Sequence, residues 1–171
     1  LEKQRTYSSG EEKKAEIKQE CMSELNIPGE TILADRNLKL RCKILEKPKN
    51  LSIKDIPQKI YTKWFDYGII KQSVAVRTRR AGDFIVIDES GGRQKLKSYF
   101  INKKIPVAER AGIPLIAEGS EILWIVGCRQ SKAYQVTEQT TKILEITING
   151  GTLNGRESEN VNSGRRSKCQ N

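Results

Sequence analysis

Histidine is missing from the sequence altogether, and with it the commonest general base and metal ligand. The four cysteines, Cys21, Cys42, Cys128 and Cys169, stand far apart and never as CxxC. A zinc site is therefore not expected, and reduced structural thiols are. No apolar run is long enough to span a bilayer, and the start lacks a charged, apolar, small-residue leader. Both point to a soluble cytoplasmic protein with no membrane partner. The phosphate-loop pattern GxxxxGK(S/T) and the dinucleotide pattern GxGxxG are absent as well. An SGGxDS loop, used by many adenylating enzymes, fails because Ser90-Gly91-Gly92-Arg93 runs on into Gln94 and Lys95. Acids such as Glu109 and Glu118 lie in loop segments that nothing in the sequence brings together as a catalytic pair. A serine or cysteine nucleophile would have no histidine partner. The chain alone is thus expected to catalyse nothing and to hold neither cofactor nor metal.

Positive charge, by contrast, is plentiful. Thirty-one Lys and Arg stand against 21 Asp and Glu, a net +10 over 171 residues, with a pI near 9.5. An anionic partner is the leading expectation. Hydrophobic residues make up 36% and the mean hydropathy is -0.60, so much of the chain must be surface, although the length suffices for a real core. The chain begins at Leu1 and its single methionine is Met22, which points to a piece of something longer.

Along the chain, Glu11 to Leu25 is rich in helix formers, with Ile17, Cys21 and Leu25 on one stripe. Pro28-Gly29 ends it. Glu30 to Ala34 and Leu38 to Leu45 flank Asp35-Arg36-Asn37, and the alternation of Leu38, Leu40, Cys42 and Ile44 predicts a hairpin. Lys47 to Gln58 carries Pro48 and Pro57 and reads as a linker, followed by an aromatic cluster at Tyr61, Trp64, Phe65 and Tyr67. Such clusters are usually core, and base stacking needs exposed rings. Strands are expected over Ile69 to Arg77, Phe84 to Ile87, Ile113 to Ala117, Ile122 to Val126, Tyr134 to Thr137 and Lys142 to Ile148, with a flexible loop at Ser90-Gly91-Gly92. From Asn149 onward there is too little apolar surface to offset chain entropy, and a disordered tail is expected. The fold class is α+β: a small N-terminal helix-and-hairpin unit (1–47), a linker and aromatic segment (48–68), a C-terminal mixed β-sheet domain with a packed basic helix (69–148), and the tail (149–171).

Two cationic stretches stand out. In Lys95 to Lys104 the residues Leu96, Tyr99 and Phe100 fall at i, i+3 and i+4, one stripe of a helix. Lys95, Lys97 and Lys104 flank that stripe, and Lys103 lies on it at the helix end, where its stem can carry the ammonium to water. Such a helix suits a polyanion such as RNA phosphate. In RTRRAGD, Arg77 to Asp83, a strand would put Arg77 and Arg79 on one face and Arg80 on the other, and guanidinium groups on one face can pair with phosphate oxygens. The alternative is a turn after Gly82 in which Asp83 caps and pairs with one arginine.

RTRRAGD, then GGRQKLKSYFINKKIP, ERAGIPLIA and ILWIVGCRQS, resemble in order and spacing the C-terminal region of bacterial tRNA(Ile)-lysidine synthetases. LNIPGETIL and KIYTKWFDY are similar to the segment that precedes it, so the resemblance covers roughly Leu25 to Ile148. It implies a ligase that uses ATP to adenylate the wobble cytidine of an isoleucine tRNA and then joins lysine to it. The ATP site, with its magnesium, and the catalytic residues would lie in an N-terminal domain this sequence lacks. The partners implied are tRNA(Ile), that catalytic domain and, in a homodimer, a second copy of the chain. By motif position, tRNA contact is carried over to Arg77, Arg79, Arg80, Lys95, Lys97, Lys103, Lys104, Arg110 and Arg129, and no catalytic role to any residue. The chain departs from the family in having Ser98 and Asn102 where acids are common, and Gln130 and Gln135 in a loop that is usually more charged. The other reading of the basic residues is a docking or dimerisation module whose lysines are merely solvated.

Overall fold

The computed structural model describes residues 22–150. In chain order these form β1 (Ser23–Glu24), β2 (Gly29–Leu33), β3 (Leu38–Glu46), β4 (Thr62–Asp66), β5 (Ala75–Arg77), β6 (Phe84–Val86), β7 (Arg93–Lys95), α1 (Leu96–Asn102), α2 (Val107–Arg110), β8 (Leu115–Glu118), β9 (Glu121–Ile125), β10 (Arg129–Gln130) and β11 (Lys142–Gly150). The architecture is α+β, with few helices and two sheets. One sheet is antiparallel in the order β2-β3-β11-β4. The other runs β1-β5-β8-β9-β6-β7, with β10 also paired to β9. The second sheet is mixed because β6 runs parallel to β9.

Two apolar clusters hold these elements together. Leu38, Leu40 and Cys42 of β3, Phe65 of β4 and Leu144, Ile146 and Ile148 of β11 pack with Val76, Ile116 and Trp124 of the mixed sheet and with Val126 just past β9. On the opposite side, Ile85, Leu115, Ala117, Ile122 and Ile125 pack with Leu96, Tyr99 and Phe100 of α1. The mixed sheet is thus sandwiched between the antiparallel sheet and the basic helix. Strands covered on both faces need apolar residues at nearly every position, which is why LIA and ILWI run unbroken through β8 and β9. A register shift lies between Ile116 and Ala117, which pair with Trp124 and Ile122. Leu123 is therefore an extra residue in β9, a bulge, and it lets Leu123 and Trp124 both serve the first cluster.

Local chemistry sets the boundaries. At the β2–β3 turn, Asn37 takes the left-handed φ of 51° that its side chain tolerates better than most. Helix α1 is only seven residues long, with no side-chain cap at its start. A helix so short is marginal on propensity alone; burial of Leu96, Tyr99 and Phe100 holds it, each large apolar side chain contributing about 1.5–3 kcal/mol. The chain then reverses at Lys104, whose φ is 54°, and Pro106 precedes α2.

Several expectations need correction. The hairpin is not a separate unit, because β3 pairs with β11 from Leu38 to Glu46. The segment 48–68, expected as a linker and aromatic segment, contains strand β4, which pairs with the other side of β11. Positions 149 and 150 belong to β11; the rest of the expected tail, and all but the end of the expected Glu11 to Leu25 helix, lie outside the described residues. Of that helix, Ser23 and Glu24 are strand β1, pairing with Val76 and Ala75. Tyr134 to Thr137 is irregular: Tyr134 and Val136 are buried, but the Tyr134 carbonyl bonds the amide of Asp66 instead of a strand ladder. Ser90-Gly91-Gly92 is the tight turn of a β6–β7 hairpin. Cys42 is a buried free thiol, pushed up to about 11 by burial. No helix among the described residues is long and apolar enough to cross a membrane.

Candidate nucleic-acid interface

The basic helix is fixed at its start and along one face. The amide of Leu96 donates to the Asp83 carbonyl at 2.9 Å, and Leu96, Tyr99 and Phe100 are essentially inaccessible. That leaves Lys95, Lys97 and Lys104 exposed and Lys103 half-buried, as the spacing predicts. None of these ammonium groups has an ion pair or side-chain hydrogen bond among the described residues. Between Lys97 and Lys104 on the outer face sits Ile101, 52% exposed, and α2 adds Val107 at 68%.

The arginine cluster is arranged differently from its strand reading. Strand β5 stops at Arg77, so Arg77 and Arg79 do not share a face. Arg77 is buried, 4% exposed, and its guanidinium donates to both Asp83 carboxylate oxygens at 2.8 Å. The second N–H of each terminal nitrogen reaches the carbonyls of Thr78 at 2.9 Å and Gly119 at 2.7 Å. With the side chain buried and four of its five donors held by Asp83, Thr78 and Gly119, the contact carried over to Arg77 is not available; the turn-and-pair alternative is what the structure contains. Arg79 is exposed on the loop. Arg80 is half-buried, its guanidinium 3.1 Å from the Met22 sulfur. Arg110 and Arg129 each tie a guanidinium N–H to a backbone carbonyl, of Ile105 at 2.8 Å and Ile87 at 2.7 Å. An arginine has five donors, so both retain groups to offer outward.

One cation escaped the sequence reading. Arg93 is exposed on β7 and stacks over the Phe84 ring at 4.6 Å. It lies two residues from Lys95, hence on the same face of the strand. Its signal, a basic residue at i−2 from the first helix lysine, is visible only once β7 is known to be a strand.

The glycine loop is not a phosphate cradle. The Asp88 carboxylate accepts from the Ser90 hydroxyl at 2.6 Å and the Gly92 amide at 2.8 Å, which holds it below the usual carboxylate range. A Cβ at Gly92 would collide with that carboxylate. An acid already sits where a phosphate would go. The aromatic segment is packing: Phe65 is buried against Trp124 at 6.2 Å between ring centres, and the Trp64 indole N–H donates to Glu145 at 2.7 Å. Glu118 is a brace, accepting from the amides of Lys71 and Gln72 at 2.7 and 2.6 Å and from the Tyr134 hydroxyl at 2.8 Å. Burial and that bond push the Tyr134 phenol up.

Residues 74–146 match the family model described as the TilS substrate C-terminal domain. The chain is similar to a tRNA(Ile)-lysidine synthase of Caldanaerobacter subterraneus, 37% identical over 134 residues, which is 78% of this chain and 28% of the relative. It is also similar to one of Clostridium perfringens, 42% identical over 90 residues, 53% of this chain and 19% of the relative. The chain thus spans about a quarter or less of the curated relatives it matches. A solved TilS C-terminal domain superposes with a TM-score of 0.59 at 26% identity, covering 77% of this chain and 98% of that one. The resemblance that runs from RTRRAGD to ILWIVGCRQS is borne out over the C-terminal region.

Proposed function

We propose that this chain, whose residues 74–146 match the C-terminal domain of tRNA(Ile)-lysidine synthases, is the part of such an enzyme that grips tRNA. The observation that supports this most is the set of ammonium groups, unpartnered among the described residues, along a helix whose other face is locked into the core. Cations fixed to a rigid platform attract a phosphate backbone without needing a pocket, and release its counterions on contact. Arg79, Lys95, Lys97, Lys103 and Lys104 are the contacts, with Arg80, Arg93, Arg110 and Arg129 at the margin. An RNA stem would be recognised mostly by shape, phosphate and ribose, because the deep groove of A-form RNA is hard to enter.

The rest of the reaction belongs elsewhere. An N-terminal domain would bind ATP with magnesium, adenylate the wobble cytidine of tRNA(Ile) and join lysine to it, in the cytoplasm. This chain supplies orientation, and no residue in it acts on the reacting atoms. A salt titration of tRNA binding tests the reading: affinity should fall steeply as salt rises.

Ile101 and Val107, exposed at 52% and 68%, favour a second reading in which this face docks on the catalytic domain or on a second copy. Absence of measurable tRNA binding at low salt, together with concentration-dependent self-association, would support it.

A further inference from the structure

We infer that the buried Arg77–Asp83 pair is a positioning device that sets the exposed arginine loop and the start of the lysine helix in one fixed relation. The inference rests on the tRNA-gripping reading and specifies how its cations are presented. Asp83 works in two directions. One carboxylate oxygen, besides accepting from Arg77, accepts from the Arg80 amide at 2.7 Å, which closes the loop 78–82 on itself. Its main-chain carbonyl accepts from the amide of Leu96 at 2.9 Å, the first residue of α1, beside Lys95 and Lys97. Arg77 fastens the other end of the loop through the Thr78 carbonyl and ties it to the β8–β9 turn through the Gly119 carbonyl.

Charge bookkeeping separates this role from direct binding. Arg77 and Asp83 neutralise each other, with side chains only 3% and 1% exposed, so the pair adds nothing to the field an RNA meets. Nor is an ion pair needed merely to fill this space, since apolar residues of similar size commonly replace a buried pair without loss of stability. What an apolar pair cannot do is accept the Arg80 amide or donate to the Thr78 and Gly119 carbonyls. The specific product of the pair is the loop's shape, and a loop already ordered does not have to be ordered on binding.

The test uses the chain with an unmodified isoleucine tRNA transcript, comparing wild type, Arg79→Ala, the double variant Arg77→Met/Asp83→Leu, and all three changes combined. Arg79→Ala should lose one phosphate contact, about fivefold in affinity at 0.15 M salt and a salt slope shallower by roughly 0.7–0.9. The double variant should lose about as much while melting near wild type, and should cost nothing further when Arg79 is already alanine. Wild-type binding by the folded double variant, or losses that simply add, would overturn the inference. Should the double variant fail to fold, hydrogen exchange at the Arg80 amide of the wild-type chain decides: slow exchange without tRNA is expected, and free exchange until tRNA is added refutes a pre-set loop. If Arg79→Ala binds normally, the pair has no cation to present and the inference falls, while the helix lysines still test the tRNA reading on their own.

Discussion

Replacing Lys95, Lys97, Lys103 and Lys104 together by glutamine removes the positive charge along the basic helix while keeping polar, unbranched side chains. Three of these residues are exposed and the fourth is half-buried at the helix end, and none contributes to the two apolar clusters. Surface changes of this kind each alter stability by about 0.5 kcal/mol or less, so the variant should melt within a few degrees of wild type. Its RNA binding should change far more. Each cation that neutralises one phosphate contributes about 0.7–0.9 to the slope of log affinity against log salt. Four such contacts make the wild-type slope steeper by roughly 3, and at 0.15 M salt they multiply affinity by roughly 200- to 900-fold. Fluorescence anisotropy with labelled tRNA(Ile) transcript, titrated from low to moderate salt, reads both quantities. A folded variant with undiminished affinity and an unchanged slope would refute the assignment of this helix to RNA. A weaker effect that keeps the slope would show that shape, not phosphate, carries the contact.

Two further outcomes follow from the packing and the braces. Phe100→Ala empties a fully buried position shared by α1 and the mixed sheet and should cost about 3–5 kcal/mol, lowering the melting temperature by roughly 10 °C; tRNA affinity should recover at temperatures where the variant is folded, since no cation has been removed. Tyr134 keeps its proton in the folded chain beyond the usual phenol value of 10.0, whereas the unfolded chain releases it there. The unfolded state then binds fewer protons, so stability must fall as pH rises above about 10. Denaturant titrations between pH 8.5 and 11 should show that decline, to which the buried Cys42 thiol, also pushed up, contributes from about pH 9, and Tyr134→Phe should make it shallower; an equally steep decline in the variant would assign the effect to other groups.

Much of this fold was legible locally, and the failures share a cause. The stripe of Leu96, Tyr99 and Phe100, the alternation along Leu38 to Ile44 and the apolar runs of β8 and β9 are each decided by burial of neighbours in sequence. By contrast, pairing of Thr62–Asp66 with Ile143–Thr147 joins segments with no mutual signature, so an aromatic stretch expected only as a packing cluster turns out to be an edge strand. Strand β7 is three residues, Arg-Gln-Lys, of which none is buried, and nothing in its polarity announces a strand. At the candidate interface, the helix lysines were placed correctly because period alone fixes which side chains face out. Arg77 was misplaced because the two-residue spacing to Arg79 presumes a strand that in fact ends between them. The acid six residues on was the better signal: an aspartate beside Gly82, whose φ is 87°, marks a loop closing back toward the strand.

The matched region and the folding unit do not coincide, and this bears on how the cations are held. Residues 74–146 contain the mixed sheet apart from β1, α1 and most of β11, but not β2, β3 or β4. Those three strands complete the sheet that covers Val76, Ile116, Trp124 and Val126. Without them, one face of the mixed sheet would present a contiguous apolar surface to water, of the kind that drives association. The opposite face carries α1, and the two faces share strands whose side chains alternate between the clusters, so loosening one side disturbs the other. The rigidity of the lysine helix therefore depends on residues 29–66, which carry none of the candidate contacts. A binding surface that works by pre-set charge needs a core on both sides of its supporting sheet, and the N-terminal strands supply the second side.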